Sequence, residues 1–84
     1  MVYKVLIDRK VKKALKKLPN VDYLSVKMAI LDLAKNPRPF GYEKLKKRDG
    51  YRIRQGNYRI LYDIEDDIKI VKVLDVGHRK DIYL

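Results

Sequence analysis

The feature that most constrains the fold is the stretch at residues 50–62, which reads GYRIRQGNYRILY. Gly56 and Asn57 stand between two runs in which polar and apolar residues alternate. This pattern is typical of a β-hairpin with a two-residue turn. Because such a turn fixes the pairing of the two strands, the register follows by counting, and Arg54 is expected to face Arg59.

The predicted register divides the hairpin into an apolar face and a basic face, because side chains on a strand alternate between faces with period two. The apolar face holds Tyr51, Ile53, Tyr58, Ile60, Tyr62 and Ile64. The other face holds Arg52, Arg54 and Arg59. Like charges that face each other across a strand pair destabilise it. Three arginines on one face of a small sheet therefore need a physical reason.

A bound phosphate would supply that reason for the basic face. Arginine binds phosphate oxygens through two parallel hydrogen bonds and stays protonated near neutral pH. The alternative is that each arginine pairs with an acidic neighbour, and Asp63 is the nearest acid on the same predicted face. One carboxylate cannot neutralise three arginines, so the phosphate interpretation is favoured.

Two helices joined by a very short connection are predicted ahead of the hairpin. Asp8 can cap the first helix, which carries an apolar stripe on a lysine-rich segment. Pro19 ends it, and Asn20 can cap a second helix that runs to about Lys35. The apolar positions are Val11, Ala14, Leu15 and Leu18 in the first helix, and Leu24, Val26, Met28, Ile30, Leu31 and Leu33 in the second, where they are expected to make one broad apolar face that packs on the sheet.

The remaining strands complete an α+β prediction. Residues 2–7 are expected to form a short strand, and residues 40–50 a basic loop or short strand. Residues 68–76 are apolar on both faces apart from Lys69, Lys72 and Asp75, which suits a central strand. The turn at residues 65–67 does not define the register between the last two strands. The predicted order is β-α-α-β-β-β in one domain over residues 1–84, an antiparallel meander with an N-terminal strand and a helical hairpin packed on one face. The arginine face would stay open to solvent or a ligand.

The net charge of +10 is distributed unevenly along the chain. Residues 1–35 carry nine Lys or Arg against three Asp, residues 38–59 carry eight against two acids, and residues 60–84 carry four against six. Such a field favours a polyanionic partner, which could be RNA, DNA, a ribosome, a membrane surface or an acidic protein. The candidate RNA-binding residues are Lys12, Lys13, Lys16 and Lys17 in the first helix, and Lys44, Lys46, Lys47 and Arg48 before the hairpin. A merely solvated surface is an equally good interpretation of the helix lysines.

Several classes of protein are disfavoured by composition. The chain has no cysteine, which excludes disulfides and thiolate metal sites. No apolar run approaches the roughly 20 residues that cross a membrane. The N-terminal stretch MVYKVLIDRK has no long apolar segment of the kind found in secretion signals. We therefore expect a cytoplasmic protein without a membrane partner.

The C-terminal segment VGHRKDIYL adds one imidazole at His78, a guanidinium at Arg79 and a phenol at Tyr83. If the last strand lies beside the hairpin, this segment can approach the arginines. The set could support RNA cleavage without a metal ion, in which a ribose 2′-hydroxyl attacks the adjacent phosphorus. His78 is a candidate base, although a histidine beside a glycine is as often an exposed turn residue. The acids at residues 65–67 are better explained as solvated than as a metal site, so no metal and no cofactor are expected.

Taken together, GYRIRQGNYRILY and VGHRKDIY resemble the RelE branch of the RelE/ParE toxin superfamily over essentially the full chain. The resemblance implies a compact fold related to microbial ribonucleases. It implies the toxin of a type II toxin–antitoxin system, an endoribonuclease that enters the ribosomal A site, cuts mRNA there and inhibits translation. A cognate antitoxin would neutralise it, and operator DNA would be bound only through the antitoxin complex.

The resemblance also implies roles for individual residues. The family's basic pair on the first hairpin strand falls on Arg52 and Arg54, and its arginine in the motif NYR is Arg59. The basic residue credited with protonating the leaving group falls on Arg79, and the C-terminal tyrosine that stacks on the substrate falls on Tyr83.

The general base is unassigned, because the best-known members have lysines where this chain has Arg52 and Arg54. His78 could replace that lysine. Two other functions share the fold: a ParE-like inhibitor of DNA gyrase, and a non-catalytic RNA-binding relic of the toxin. A gyrase inhibitor would not need the arginines and the C-terminal tyrosine.

Overall fold

The protein forms a five-stranded sheet with two helices on one face. The computed structural model describes residues 2–78 and residue 80. The elements are β1 (Lys4–Ile7), α1 (Arg9–Lys16), α2 (Asn20–Asp32), β2 (Glu43–Lys44), β3 (Tyr51–Gln55), β4 (Tyr58–Glu65) and β5 (Ile70–His78). The strand order is β1-β5-β4-β3-β2. The α+β prediction with a meander of the last three strands is confirmed. The sheet is mixed, because β1 pairs with β5 in parallel, and the short strand β2 extends it.

The hairpin β3–β4 has the predicted register, with Arg54 opposite Arg59 and Gln55 opposite Tyr58. Gly56 has a φ of 60°, whereas Asn57 is not among the residues with positive φ. A turn with positive φ at its first central position alone is of type II′, whose twist matches that of the flanking strands. Local turn chemistry therefore fixes the register of the arginines.

A bulge interrupts the pairing of β4 with β5. Tyr62 pairs with Val73, but Leu61 pairs with Asp75, so Leu74 is the extra residue on β5. Leu74 packs with Leu61 on the face of the sheet away from the helices. Beyond the bulge the register of β5 is shifted by one residue, which decides the face on which each later side chain lies.

Of the two N-terminal helix caps predicted from the sequence, the structure has one. The Asp8 carboxylate accepts a hydrogen bond from the Val11 N–H at 3.0 Å, so the predicted cap of α1 is confirmed. The predicted cap at Asn20 is wrong. Asn20 is already helical, and the preceding Pro19 has no side-chain acceptor to offer. α2 ends at Asp32, slightly before the predicted end.

The main core lies between the helices and one face of the sheet. Its buried members are Val11, Leu15, Val26, Ile30, Leu33, Ile53, Ile60, Tyr62, Val71, Val73 and Val76. The prediction that α2 presents one broad apolar face to the sheet needs correction. Four of its apolar residues, spaced three and four apart, point outward with 48–79% exposure: Val21, Leu24, Met28 and Leu31. We call them the outer stripe of α2. Neither helix in the described part of the chain is long and apolar enough to cross a membrane.

The loop after α2 is anchored to the sheet by two polar contacts. Arg38 donates two hydrogen bonds to the Asp66 carboxylate at 3.2 and 2.9 Å, and the Tyr3 hydroxyl donates to the same carboxylate at 2.7 Å. The hydroxyl of buried Tyr62 donates to the Pro37 carbonyl at 2.6 Å. The hydrogen bond from Arg38, with that from Tyr3, lowers the pKa of Asp66 to about 2.

We expect Asp66→Asn to reduce the loss of stability in acid. A carboxyl group whose pKa is lowered by folding stabilises the native state at pH values above its pKa in the unfolded chain, here 3.8. This contribution to stability is lost as the pH falls toward the native pKa of about 2. The variant should therefore be less stable than the parent at pH 6, and the two should converge near pH 2. Urea denaturation at both pH values measures the difference. Asp67→Asn in the same turn is the control, and an equal effect of both variants would contradict this account.

Candidate anion-binding site

Arg54 and Arg59 form a pair of neighbouring cations near the turn of the hairpin. They lie directly opposite each other. In a hairpin with a two-residue turn, the two residues that flank the turn are hydrogen-bonded to each other, whereas the next pair along the strands, here Arg54 and Arg59, is not. The Cα atoms of such pairs are only about 4.5 Å apart. Arg54 is exposed, Arg59 is half-buried, and Gly77 lies beside Arg59 on β5 without a side chain. In the described part of the chain, two cations therefore lie side by side at this end of the face.

Arg52 does not belong to the open surface, and the prediction that it faces solvent or a ligand is wrong. Its side chain is only 3% exposed, and its guanidinium forms an ion pair with Glu43. Glu43 is the partner because β2 pairs with β3 and sets it directly opposite Arg52. The hydrogen bond from Arg52 lowers the pKa of Glu43. Arg52 thus holds β2 against the sheet.

The far end of the arginine face is covered by the segment that leads into β3. Leu45 is buried against Leu61 and Leu74, and its N–H donates to the Gly50 carbonyl at 3.0 Å. The expectation of a fully open face is therefore wrong. The apolar residues of β4 and β5 on this side need cover, and Leu45 provides it. Within the described residues, Leu45 does not cover the end with Arg54, which is exposed, and Arg59, which is half-buried.

We expect Glu43→Gln to weaken the attachment of β2. The substitution leaves the buried Arg52 cation without its counterion, which is unfavourable in a poorly solvated position. Both the midpoint of urea denaturation and the hydrogen-exchange protection of the Arg52 amide should fall. Asp49→Asn removes an exposed carboxylate from the adjacent loop and is the control. A Glu43→Gln protein as stable and as protected as the control would show that the ion pair does not hold β2.

His78 lies on the other face of the sheet from the arginine pair. It pairs with Tyr58, and the two rings meet edge to face with centroids 5.8 Å apart. Its Nδ1 accepts a hydrogen bond from the Lys80 N–H at 3.2 Å. The Tyr58 hydroxyl in turn donates to Asp22 of α2 at 2.9 Å. The structure therefore does not bring the imidazole to the arginines. The predicted roles of Arg79 and Tyr83 concern residues outside the described part of the chain.

The candidate RNA-binding lysines and arginine are all exposed. Lys12, Lys13, Lys16 and Lys17 lie on the outer side of α1, and Lys44, Lys46, Lys47 and Arg48 lie on β2 and the following loop. α1 packs on the helix side of the sheet, whereas Leu45, which lies between Lys44 and Lys46 in the chain, packs on the opposite side. The segment that carries the second group therefore reaches the arginine side, although Lys44 itself pairs with Tyr51 and points to the helix side, and the first group lies on the helix side.

The family of the protein follows from comparison with known sequences. Residues 5–83 match the family model described as ParE toxin of type II toxin-antitoxin system, parDE. The chain belongs to the RelE/ParE toxin superfamily and is the toxin of a type II toxin–antitoxin system. Its relatives place it in the RelE branch. It is 35% identical to Toxin RelG of Mycobacterium tuberculosis, over 99% of this chain and 98% of that protein. It is 33% identical to Putative toxin RelE1 of Methanocaldococcus jannaschii, over 99% and 97%.

Solved structures agree with this assignment. The archaeal RelE–RelB complex from Pyrococcus horikoshii contains a chain that matches with a TM-score of 0.84 and 33% identity, covering 98% of this chain and 100% of that one. The toxin–antitoxin complex RelBE2 from Mycobacterium tuberculosis matches with a TM-score of 0.83 and 31% identity, covering 96% and 95%. The resemblance deduced from the sequence motifs is therefore confirmed.

Proposed function

We propose that the protein is a ribosome-dependent endoribonuclease that cuts mRNA in the A site and so inhibits translation. The observation that carries the proposal is the pairing of Arg54 directly opposite Arg59 on the face of the sheet away from the helices. Two neighbouring guanidinium groups match the charge that develops on a phosphate when the 2′-hydroxyl attacks it. A gyrase inhibitor has no use for such an arrangement.

The proposed roles divide between chemistry and positioning. Arg54 and Arg59 bind the scissile phosphate and stabilise its transition state, so the reaction needs no metal ion. By family resemblance, Arg79 donates a proton to the leaving 5′-oxygen and Tyr83 stacks on a base. Arg52 acts through Glu43 on β2 and is a positioning residue. We do not assign the base to His78, because its ring lies against Tyr58 on the other face.

The basic surface supports binding to ribosomal RNA. The exposed cations Lys46, Lys47 and Arg48 lie in the segment whose Leu45 packs on the arginine side, and they would contact phosphates next to the bound mRNA, whereas Lys44 would contact RNA from the other side. The lysines of α1 lie on the other side and would contact a separate segment of RNA. Each phosphate contact releases counterions, so the affinity for ribosomes should fall steeply with salt concentration.

The antitoxin partner is proposed from the outer stripe of α2. The related structures named above are complexes with an antitoxin. Here Val21, Leu24, Met28 and Leu31 form an exposed apolar stripe with the spacing that a partner helix recognises. Because the chain carries a net charge of +10, an acidic amphipathic helix fits this surface better than a second copy of the toxin. Operator DNA would be bound through that complex.

Primer extension on a defined mRNA tests the proposed function. The purified protein is added with translating ribosomes, with idle ribosomes and with naked mRNA. Cuts that require translating ribosomes would support the proposal. Cuts of equal intensity on naked mRNA would refute ribosome dependence. If no cuts appear and the protein inhibits DNA supercoiling by gyrase instead, the ParE-like function is correct.

A further inference from the structure

Two side chains of α2 form hydrogen bonds with the tip of the hairpin β3–β4. Asp22 accepts one from the Tyr58 hydroxyl at 2.9 Å, and the Ser25 hydroxyl accepts one from the Gln55 side-chain amide at 2.7 Å. Both contacts are partly buried. Asp22 and Ser25 lie three positions apart in the helix, so both face the sheet from the same side of α2. We call these four residues the hairpin anchor.

The hairpin anchor holds the two residues that flank the turn. Gln55 and Tyr58 lie directly opposite each other in the strand pair. Each is the chain neighbour of one arginine, because Gln55 follows Arg54 and Tyr58 precedes Arg59. Since side chains alternate along a strand, Gln55 and Tyr58 point toward the helices while the arginines point to the other face. The anchor therefore supports, from behind, the backbone that carries the arginine pair.

The backbone at Arg54 has little other support. β2 pairs only with Tyr51 and Arg52, so no strand of the described structure covers the edge of β3 at residues 53–55. Arg54 and Arg59 also form a pair without backbone hydrogen bonds between them. Regions with exposed backbone groups and few contacts open locally at a low free energy. The two contacts from α2 are therefore placed where they limit such opening most.

Hydrogen bonds suit this task better than the apolar contacts around them. Burial of apolar surface is non-directional and tolerates small displacements, whereas a hydrogen bond weakens steeply as its angle closes. Electrostatic stabilisation of a transition state depends on charged groups that are in place before the reaction begins. A displacement of about 1 Å in a catalytic group can lower the rate about 10²-fold. Rigid support behind the arginines is therefore what the proposed chemistry requires.

We propose that Asp22 and Ser25 are positioning residues for the arginine pair. Through Tyr58 and Gln55 they hold the tip of the hairpin in the geometry in which both guanidinium groups bind one phosphate. This role rests on the proposed function, since it concerns the same phosphate site. The two hydrogen bonds join residues that are 36 and 30 positions apart in the chain, so no local pattern in the sequence indicates them.

The rate of mRNA cleavage on ribosomes, measured in a single turnover at saturating toxin, tests this role. The double variant Tyr58→Phe/Ser25→Ala removes both hydrogen bonds and keeps an aromatic ring against His78. It should cleave about ten- to a hundredfold more slowly than the parent, with unchanged affinity for ribosomes. Asp22→Asn still offers an oxygen that accepts from the Tyr58 hydroxyl, and it should cleave at close to the parent's rate.

Tyr3→Phe is the matched control. It also removes a hydrogen bond from a tyrosine hydroxyl to a carboxylate, that of Asp66, but at the far end of β4 from the arginines. If both variants lose activity alike, the anchor contributes only to stability and the inference is overturned. In an Arg59→Ala background, removal of the anchor should have a much smaller effect, because one of the two groups that it positions is absent. An undiminished effect in that background would also overturn the inference.

A titration with inorganic phosphate separates this inference from the proposed function. Phosphate should shift the NMR signals of Arg54 and Arg59 in the ¹⁵N-labelled protein, and the double variant should bind it several times more weakly than the parent. Equal binding would overturn the inference whether or not the protein cleaves mRNA. Cleavage at the same rate by the parent and the double variant would reject the anchor and keep the nuclease. Weaker phosphate binding by the double variant of a protein that cuts no mRNA would keep the anchor and reject the nuclease.

Discussion

Arg59→Ala should lower the rate of mRNA cleavage on ribosomes by about 10²–10³-fold, the usual effect of removing one preorganised electrostatic contact to a transition state. The reason is geometric. Arg59 faces Arg54 across the strand pair, and under the proposed function both guanidinium groups bind the scissile phosphate. The loss should appear in the single-turnover rate measured at saturating toxin, because the contact strengthens as charge develops on the phosphate.

The matched control for this experiment is Arg9→Ala. Arg9 is exposed at the start of α1, and its removal changes the net charge by the same amount. If general attraction between the basic protein and the ribosome were responsible, both variants would lose activity equally. Circular dichroism and the urea midpoint should show that both variants are folded. A folded Arg59→Ala protein that cleaves at the parent's rate would remove Arg59 from the site.

Gly50→Ala should lower the free energy of unfolding by about 3 kcal/mol, from backbone strain together with overpacking. Gly50 has a φ of 123°, which residues with a side chain rarely adopt. An added Cβ would lie 2.9 Å from the Tyr62 carbonyl oxygen and 3.3 Å from Leu45 Cδ1. The carbonyl belongs to a central strand and cannot move aside. Because Leu45 covers the arginine face, the substitution should also disturb the site.

The control for this prediction is Gly56→Ala in the hairpin turn. Gly56 also has positive φ, at 60°, but nothing lies within 4 Å of the added Cβ. Its cost should be about 1 kcal/mol, the penalty for a left-handed residue alone. Urea denaturation of both variants separates the effect of φ from the effect of the close contact. Equal losses in the two variants would show that the contact with Tyr62 is unimportant.

The hairpin and its arginine pair could be predicted from the sequence because the information is local. Gly56-Asn57 defines the turn, the turn defines the register, and the register sets Arg54 opposite Arg59. The burial of Arg52 could not be predicted in this way. It depends on Glu43, nine positions earlier, in a strand of only two residues. Two residues show no periodicity, so nothing in the sequence pattern indicates the ion pair.

The position of His78 depends on a single extra residue in β5. Continuing the pairing of Tyr62 with Val73 without a bulge would put Val76 opposite Arg59, and His78 would share the arginine face. The bulge at Leu74 instead puts Gly77 opposite Arg59 and turns His78 toward Tyr58. The sequence does not indicate this bulge, because Val73, Leu74 and Val76 are all apolar and any of them could face the core.

The outer stripe of α2 shows a further limit of sequence patterns. An apolar residue on an amphipathic helix is normally assigned to the core. α2, however, carries apolar residues on two of its faces. The sheet can cover only one face, so Val26, Ile30 and Leu33 are buried while Leu24 and Met28 are exposed. Hydrophobicity therefore predicted the helix correctly but could not separate the core face from a partner surface.

The most direct test of the central claim concerns the chemistry of the cut. Ribosomes are programmed with an mRNA in which one A-site nucleotide, at the cleaved position, carries either a 2′-hydroxyl or a 2′-hydrogen. We predict cleavage of the first message, with a 2′,3′-cyclic phosphate on one fragment and a 5′-hydroxyl on the other, and no cleavage of the second. Equal cleavage of both messages would contradict it, because the arginine pair would then not be assisting attack by the 2′-oxygen.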